Sequence, residues 1–471
     1  MAGFDPASFK DPAGRVFYHG DLVCRTLSDE ARQTFSSSDT VRLMERLVAD
    51  GLLVPSTITR SADLGLDAAE AGEYVMKQPR LPLVTYSYEW SFEMLRDAAI
   101  VTLRVLDQAL AAGFVLKDAN AFNILFDGTT PRLVDTFSLE RYREGDIWAG
   151  YSQFCRSFLF PLLVSAYRDI DVQHLLRGTL GELPVQMARR MIGPRDYLRP
   201  GVSKDIVMQA RLDRSFAGRE ASTRPAKTAA YPKALLAANV RRLLRIVEKL
   251  KAPRSPTEWT AYDTFHSYSE DDRGTKAAFV ERICAPGRFG RIVDLGCNTG
   301  EYADIAARTV PHVIAIDLDS RVIDRLYRRL PKTSTLSLVV ANLLNPSPSM
   351  GWALTERRSL FDRIRCDGLL ALALIHHLRI TGGVPLEQIV EHLFTIAPEG
   401  IIEWVGKDDA MVRLMLSHRR DVYDDYTWPQ FEAIVARHGE MIAVEVTHSG
   451  RRRLCHVRAK RVATRNATSP A

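Results

Sequence analysis

The sequence predicts an α/β protein: an open, mostly parallel sheet in the C-terminal half, preceded by a smaller α+β module. Three observations carry this. From Gly290 to Arg458, short apolar runs alternate with helical stretches, as successive βαβ units require. The run Ile292-Val293-Asp294-Leu295 enters the turn Gly296-Cys297-Asn298-Thr299-Gly300-Glu301-Tyr302, and a helical stretch follows from Ala303 to Thr309. A second run, His312 to Ile316, ends in Asp317, twenty-one residues after Gly296. An acidic strand end, a glycine-bearing turn and a helix N-terminus make a crevice for a nucleotide, because backbone can approach the ligand and free N–H groups meet it. An acid about 20 residues further on is placed to bind ribose hydroxyls.

A chain of 471 residues implies two or three domains. The reading is residues 1–200, a basic linker and amphipathic helix over 201–255, a second domain over 256–460, and a disordered tail from 461. The net charge of +6 is local: Lys204 to Arg254 holds 13 Lys and Arg against 4 Asp and Glu. The cysteines are Cys24, Cys155, Cys284, Cys297, Cys366 and Cys455. They are scattered, with no Cys-x-x-Cys, which fits reduced thiols in a cytoplasmic protein rather than a disulfide framework or a zinc site. Met1 to Arg15 lacks the apolar core of a secretory signal. Phe158 to Ala166, broken by Pro161, is too short to span a bilayer.

In the first domain, Arg15 to Arg25 reads as a hairpin around Gly20-Asp21. Strands are expected at Leu52–Ile58 and Tyr74–Lys77, and a long helix over Phe92–Ala112 with Leu95, Ala98, Ala99, Leu103, Leu106 and Leu110 on one face. Asp118 follows, then Asn123 five residues on, an apolar strand, and Asp135 after a second strand. This segment resembles the catalytic segment of protein-kinase-like folds. The resemblance implies that Asp118 matches the residue orienting a substrate hydroxyl, and Asn123 and Asp135 the two magnesium ligands. Leu116 stands where that family has histidine, Thr136-Phe137 where it has Phe-Gly, and no glycine-rich phosphate loop lies upstream. The expectation is a degenerate kinase-like module. The bland alternative is that Asp118 and Asn123 only satisfy a tight turn. Trp148 to Tyr167 is dense in aromatics and reads as core.

Lys233 to Lys251 reads as a basic amphipathic helix. Such a helix can touch nucleic acid or an anionic membrane, but it carries no interleaved aromatics for base stacking, so packing on a neighbouring domain is favoured.

In the second domain Tyr262, His266 and Tyr268 are candidates for a lid ahead of a helix at Asp271–Ile283. Ser320–Leu330 reads as a helix and Leu336–Val340 as the third strand, which ends at Asn342-Leu343. A side-chain amide there suits an adenine edge, since it donates and accepts. Asp367–Ile375 reads as a buried fourth strand delivering His376 and His377 to the ligand edge of the sheet. Either histidine is a candidate base. Pro385–Ile396 reads as a helix, Gly400–Val405 as a fifth strand, and Met441–Val446 with Arg453–Arg458 as a closing hairpin.

The turn at Asp294 resembles motif I of class I S-adenosylmethionine (SAM) methyltransferases, with Asn298 in place of the middle glycine. Asparagine tolerates a left-handed backbone, so the turn survives. That resemblance implies a Rossmann-like, seven-stranded sheet and SAM as cofactor. Asp294, Gly296, Cys297, Asn298, Gly300 and Tyr302 would shape the methionine end, Asp317 and Leu318 would hold the ribose, and Asn342 and Leu343 would meet the adenine. No metal is expected. Taken with Gln153-Phe154-Cys155, Asn345-Pro346-Ser347-Pro348 and Leu372 to Leu378, the whole chain resembles the NoeA-type family of bacterial two-part methyltransferase-like proteins associated with nodulation.

The reading is therefore a SAM-dependent methyltransferase acting on a small molecule or saccharide. The missing Asn/Asp-Pro-Pro-Tyr/Phe signature argues against an amino group of adenine or cytosine as acceptor. Two rivals stand: a regulatory protein that binds nucleotide with an inert methyltransferase fold, and an RNA methyltransferase using the basic segment.

Overall fold

The computed structural model describes residues 3–10, 14–217, 232–253, 255, 270–417 and 420–460. The tract 218–230, the lid candidates Tyr262, His266 and Tyr268, and the tail from 461 lie outside the described residues. The chain divides into two compact units. The first takes the chain up to Ser255 together with Ser349–Arg357, a segment that the sequence places inside the second domain. The second takes the remaining described residues.

In the first unit, strands β1 (Val16–His19) and β2 (Leu22–Thr26) form the hairpin around the Gly-Asp turn. With β3 (Thr57–Arg60) and β4 (Tyr74–Pro79) they make an antiparallel sheet in the order β1-β2-β4-β3. The strand expected from Leu52 starts only at Thr57, because Leu52, Leu53 and Val54 are buried instead and Leu53 bridges Leu133. The helix Phe92–Ala111 buries the whole predicted leucine and alanine face. After it come β5 (Phe114–Leu116), β6 (Ile124–Asp127), β7 (Thr130–Leu133) and β8 (Leu139–Arg141), paired as two short antiparallel ladders, β5-β8 and β6-β7. The aromatic stretch is helical from Tyr151 to Arg168 and widens to a π-turn over Cys155–Leu159. Pro161 has no N–H to give the preceding turn, which accounts for the widening. Phe154, Phe158 and Phe160 are fully buried core.

The basic helix runs Lys233–Lys249 and buries Leu236, Val240, Leu243 and Val247. Arg241 pairs with Asp107 at 3.2 Å. Arg242 grips the wholly buried Asp205 with both terminal nitrogens, at 2.7 and 2.6 Å, and the Tyr151 hydroxyl donates to the same carboxylate at 2.6 Å. The helix of the segment read as a linker is thus pinned into the first unit.

The second unit is a seven-stranded sheet of β9 (Arg291–Leu295), β10 (His312–Asp317), β11 (Leu336–Val340), β12 (Gly368–Ala371), β13 (Glu399–Val405), β14 (Gly439–Val446) and β15 (Arg452–Ala459). The order is β11-β10-β9-β12-β13-β15-β14. Strands β9 to β13 are parallel, and β15 enters antiparallel between β13 and β14. The chain leaves β9 for β10 and β11, then returns to the other side of β9 with β12. Such a reversal parts the loops after the two central strands, and ligands bind in the crevice between them.

The fourth strand differs from expectation. It stops at Ala371, Ala373 takes a left-handed backbone (φ +49°), and the chain is helical from Ile375. His376 and His377 therefore sit on a helical turn and not on a strand end.

Candidate functional site

A cavity of about 260 Å³ opens where the sheet reverses. The loop after β9 forms one wall. Gly296, Asn298 and Gly300 all have positive φ, of 78°, 47° and 83°. A Cβ on Gly300 would lie 2.7 Å from the Leu326 side chain, so this glycine is required by space as well as by conformation. Gly296 and Cys297 both donate to the Ile316 carbonyl at 2.9 Å, which ties the loop to β10. Asp294, Gly296, Cys297, Asn298, Tyr302, Asp317, Leu318, Asn342 and Leu343 line the cavity. Gly300 shapes the turn but is not part of the lining.

The acids are the electrostatic centre. Asp294 is buried, and its Oδ2 has no hydrogen-bond partner. Burial pushes its carboxyl up to about 7; Lys276 pulls the other way and Asp317 adds to the rise. Asp317 ends β10 with its Oδ2 accepting the Asn298 N–H and its Oδ1 the Asp319 N–H, each at 2.9 Å. Burial pushes it up to about 6 in spite of those bonds. Asn298 Oδ1 is a second buried acceptor without a partner. Two orphaned acceptors in one wall call for a ligand that brings donors, such as an ammonium. Asn342 Oδ1 accepts the Leu344 N–H at 2.9 Å, which orients its amide in the cavity lining.

Sequence reasoning missed the opposite wall. Lys276, from the helix Glu270–Ile283, lines the cavity 4.7 Å from the Tyr302 ring centroid. Its ammonium pairs at 2.6 Å with Glu403 Oε2, and both side chains are buried. The same oxygen accepts the N–H of Ala373 at 2.8 Å. Glu403 Oε1 faces Arg452 at 3.3 Å, and Arg452 Nε is held by Asp409 at 2.9 Å. Burial pulls the Glu403 carboxyl up, but the Lys276 and Arg452 charges outweigh it and leave it below the ordinary range. The one signal in the sequence is a lone acid inside the apolar run Ile401-Ile402-Glu403-Trp404-Val405.

The histidines separate. His377 lines the cavity, whereas His376 is wholly buried, is not part of the lining, and has no partner on either ring nitrogen. Their ring centroids are 4.3 Å apart. Burial, aided by Arg452, pushes His377 down to about 4, and burial with His377 nearby holds His376 well below the ordinary histidine range. The candidate base therefore narrows to His377. A second cavity of about 440 Å³ shares Leu343, Leu344 and Leu378 with the first and is walled by Phe361, Ile389 and His392.

In the first unit, Asp135 is already engaged. Arg25 from β2 pairs with its Oδ1 at 2.8 Å while lying 3.9 Å over the Phe137 ring, and the Ser138 hydroxyl donates to Oδ2. Asn123 Nδ2 donates to Ser138 Oγ at 3.1 Å and points toward the Asp118 carbonyl at 3.5 Å. No cluster of three or more metal-ligating side chains occurs among the described residues.

No family model matches the chain. Among solved structures, the N-methyltransferase NodS from Bradyrhizobium japonicum WM9 is 13% identical, covers 40% of this chain and 96% of its own, and has a TM-score of 0.29. The magnesium protoporphyrin IX methyltransferase ChlM from Synechocystis PCC 6803, with bound S-adenosylhomocysteine (SAH), is 12% identical over 43% of this chain and 95% of its own, also at 0.29. Those scores are low, and the fold described above rests on its own strand order. The sequence comparison is stronger. Nodulation protein NoeA of Rhizobium meliloti (strain 1021) is 32% identical over 453 residues, which is 95% of this chain and 94% of that protein. A match of that extent, spanning both units, makes the chain a member of the NoeA family.

Proposed function

We propose that the second unit is a SAM-dependent methyltransferase acting on a small molecule or saccharide. The observation that carries this is the cavity at the sheet reversal, with an orphaned buried Asp294 at one end and the β10 carboxylate Asp317 facing into it. The donor set fits an amino-acid-bearing nucleoside. Asp294 would take the ammonium, Asp317 the ribose hydroxyls, and Asn342 an acceptor edge of adenine, with Leu318 and Leu343 against the ring system. SAM supplies an electrophilic methyl when bound.

What the chain contributes is mainly alignment. The loop walls hold the reacting groups in line, and the apolar lining of Leu343, Leu372 and Leu378 keeps water out. His377 is neutral across the ordinary pH range. A group whose proton leaves near pH 4 is a weak general base at neutrality, so its part is to accept a hydrogen bond from the acceptor rather than to drive deprotonation. In the first unit, Arg25 already neutralises Asp135, so we read Asp118, Asn123 and Asp135 as internal bracing of a degenerate kinase-like module. Titration calorimetry with SAH tests the cofactor. Wild type should bind, and Asp317→Ala should lose about 10- to 100-fold, the worth of hydrogen bonds to a charged group. Equal affinity in the variant counts against the assignment.

A further inference from the structure

The cavity has two sides set by strand order. Asp317 and Asn342 follow β10 and β11 on one side of β9, while Leu372, Ala373, Leu374 and His377 follow β12 on the other. On this second side Ala373, together with Lys276, meets Glu403 of β13. One carboxylate oxygen, Oε2, holds both the Lys276 ammonium at 2.6 Å and the Ala373 N–H at 2.8 Å. The other oxygen is backed by Arg452, which Asp409 fixes in turn. Ala373 is a non-glycine residue at φ +49°, a conformation that persists only when the surroundings enforce it. Glu403 supplies that enforcement from a position 30 residues away in sequence. Lys276 and Asp294 then present a cation and an acid to the same cavity.

We propose that Glu403 is a positioning residue of the cavity: it presents Lys276 and the Ala373 turn to the carboxylate-bearing, amino-acid end of the ligand. This rests on the SAM reading above and deepens it. The paired charges suit a zwitterion, with the ligand ammonium toward Asp294 and its carboxylate toward Lys276. The β10–β11 side is left to the sugar and base. Glu403 itself touches no ligand; it acts through Lys276 and Ala373.

The test compares two probes on the full chain by calorimetry. SAH carries the amino-acid end, and 5′-methylthioadenosine keeps the sugar, base and sulfur but lacks it. Wild type should bind SAH at least about tenfold more tightly than methylthioadenosine. Lys276→Met and Glu403→Gln should each weaken SAH by about tenfold or more and leave methylthioadenosine within about twofold, collapsing the preference. Lys276→Arg, which keeps the charge, should restore most of it. A merely structural role would weaken both probes alike. Should Glu403→Gln fail to fold, Lys276→Met decides, because it leaves Glu403 its bonds to Ala373 and Arg452. Equal affinity of wild type for the two probes overturns the inference, as does an unchanged preference in the folded variants. Wild type that binds neither probe removes the SAM reading and this inference together, whereas wild type that binds both without preference removes only the inference.

Discussion

At the scale of single residues, Asp294 makes ligand binding depend on pH. Its folded carboxyl is pushed up to about 7, above its ordinary value, so folding favours the protonated form. The stability this gives is complete in acid and is lost as pH rises through about 7. An ammonium needs the ionised carboxylate. SAH affinity should therefore climb between about pH 6 and about pH 8, by up to roughly tenfold per unit below the folded value, and binding near neutrality should release a proton. Calorimetry in buffers of different ionisation enthalpy reads both effects. Asp294→Asn should flatten the profile, and an affinity that falls over the interval would contradict the assignment. Gly300 offers a stability measurement. Gly300→Ala sets a Cβ against Leu326 in a left-handed turn and should cost about 1–3 kcal/mol in denaturant unfolding. A neutral result would show that the turn relaxes.

Among the elements, those governed by local pattern were legible and those governed by distant partners were not. The run from Asp294 through the turn to Asp317 was readable because each feature follows from its neighbours: an apolar strand, a glycine where φ is positive, an acid at a strand end. The fourth strand was misjudged because, within Asp367–Ile375, the run Leu369–Ile375 is uniformly apolar with no glycine or proline to mark its break. At the break the Ala373 N–H is taken by Glu403, 30 residues further on, and no local window of sequence reports that partner. Lys276 was missed for the same reason, since its partner lies far away in the chain. The basic helix illustrates a third case. Its stripe was visible, but the acids that take up its charge were not. Among these, Arg242 holds a carboxylate with no exposure at all, while Arg241 is 64% exposed. Arg242→Ala leaves Asp205 buried with the Tyr151 hydroxyl alone and should cost about 3–5 kcal/mol, against less than about 1 kcal/mol for Arg241→Ala. Chemical denaturation of both variants checks the contrast, and equal costs would mean that Asp205 is not held as described.

On the scale of the whole molecule, each unit has its own core, and the cavity lined by Asp294 and Asn298 belongs to the second. Heat should therefore unfold the chain in two calorimetric transitions. SAH at about a hundred times its dissociation constant should stabilise the second unit by about 2.7 kcal/mol and leave the other transition where it was. Asp317→Ala should abolish the shift. ATP with magnesium is the informative contrast. A divalent ion at Asp135 would have to displace Arg25, which holds the carboxylate and stacks on Phe137, so neither transition should move. A rise in the first unit's transition with ATP and magnesium, lost in Asp135→Ala, would reverse that assignment and make the first unit a nucleotide sensor. RNA belongs to the same experiment. On the described basic helix Arg242 is spent on the buried Asp205 and Arg241 is paired with Asp107 at the surface, so added RNA should shift neither transition. A shift that fades steeply with salt would instead mean phosphate contacts made by this protein's basic surface.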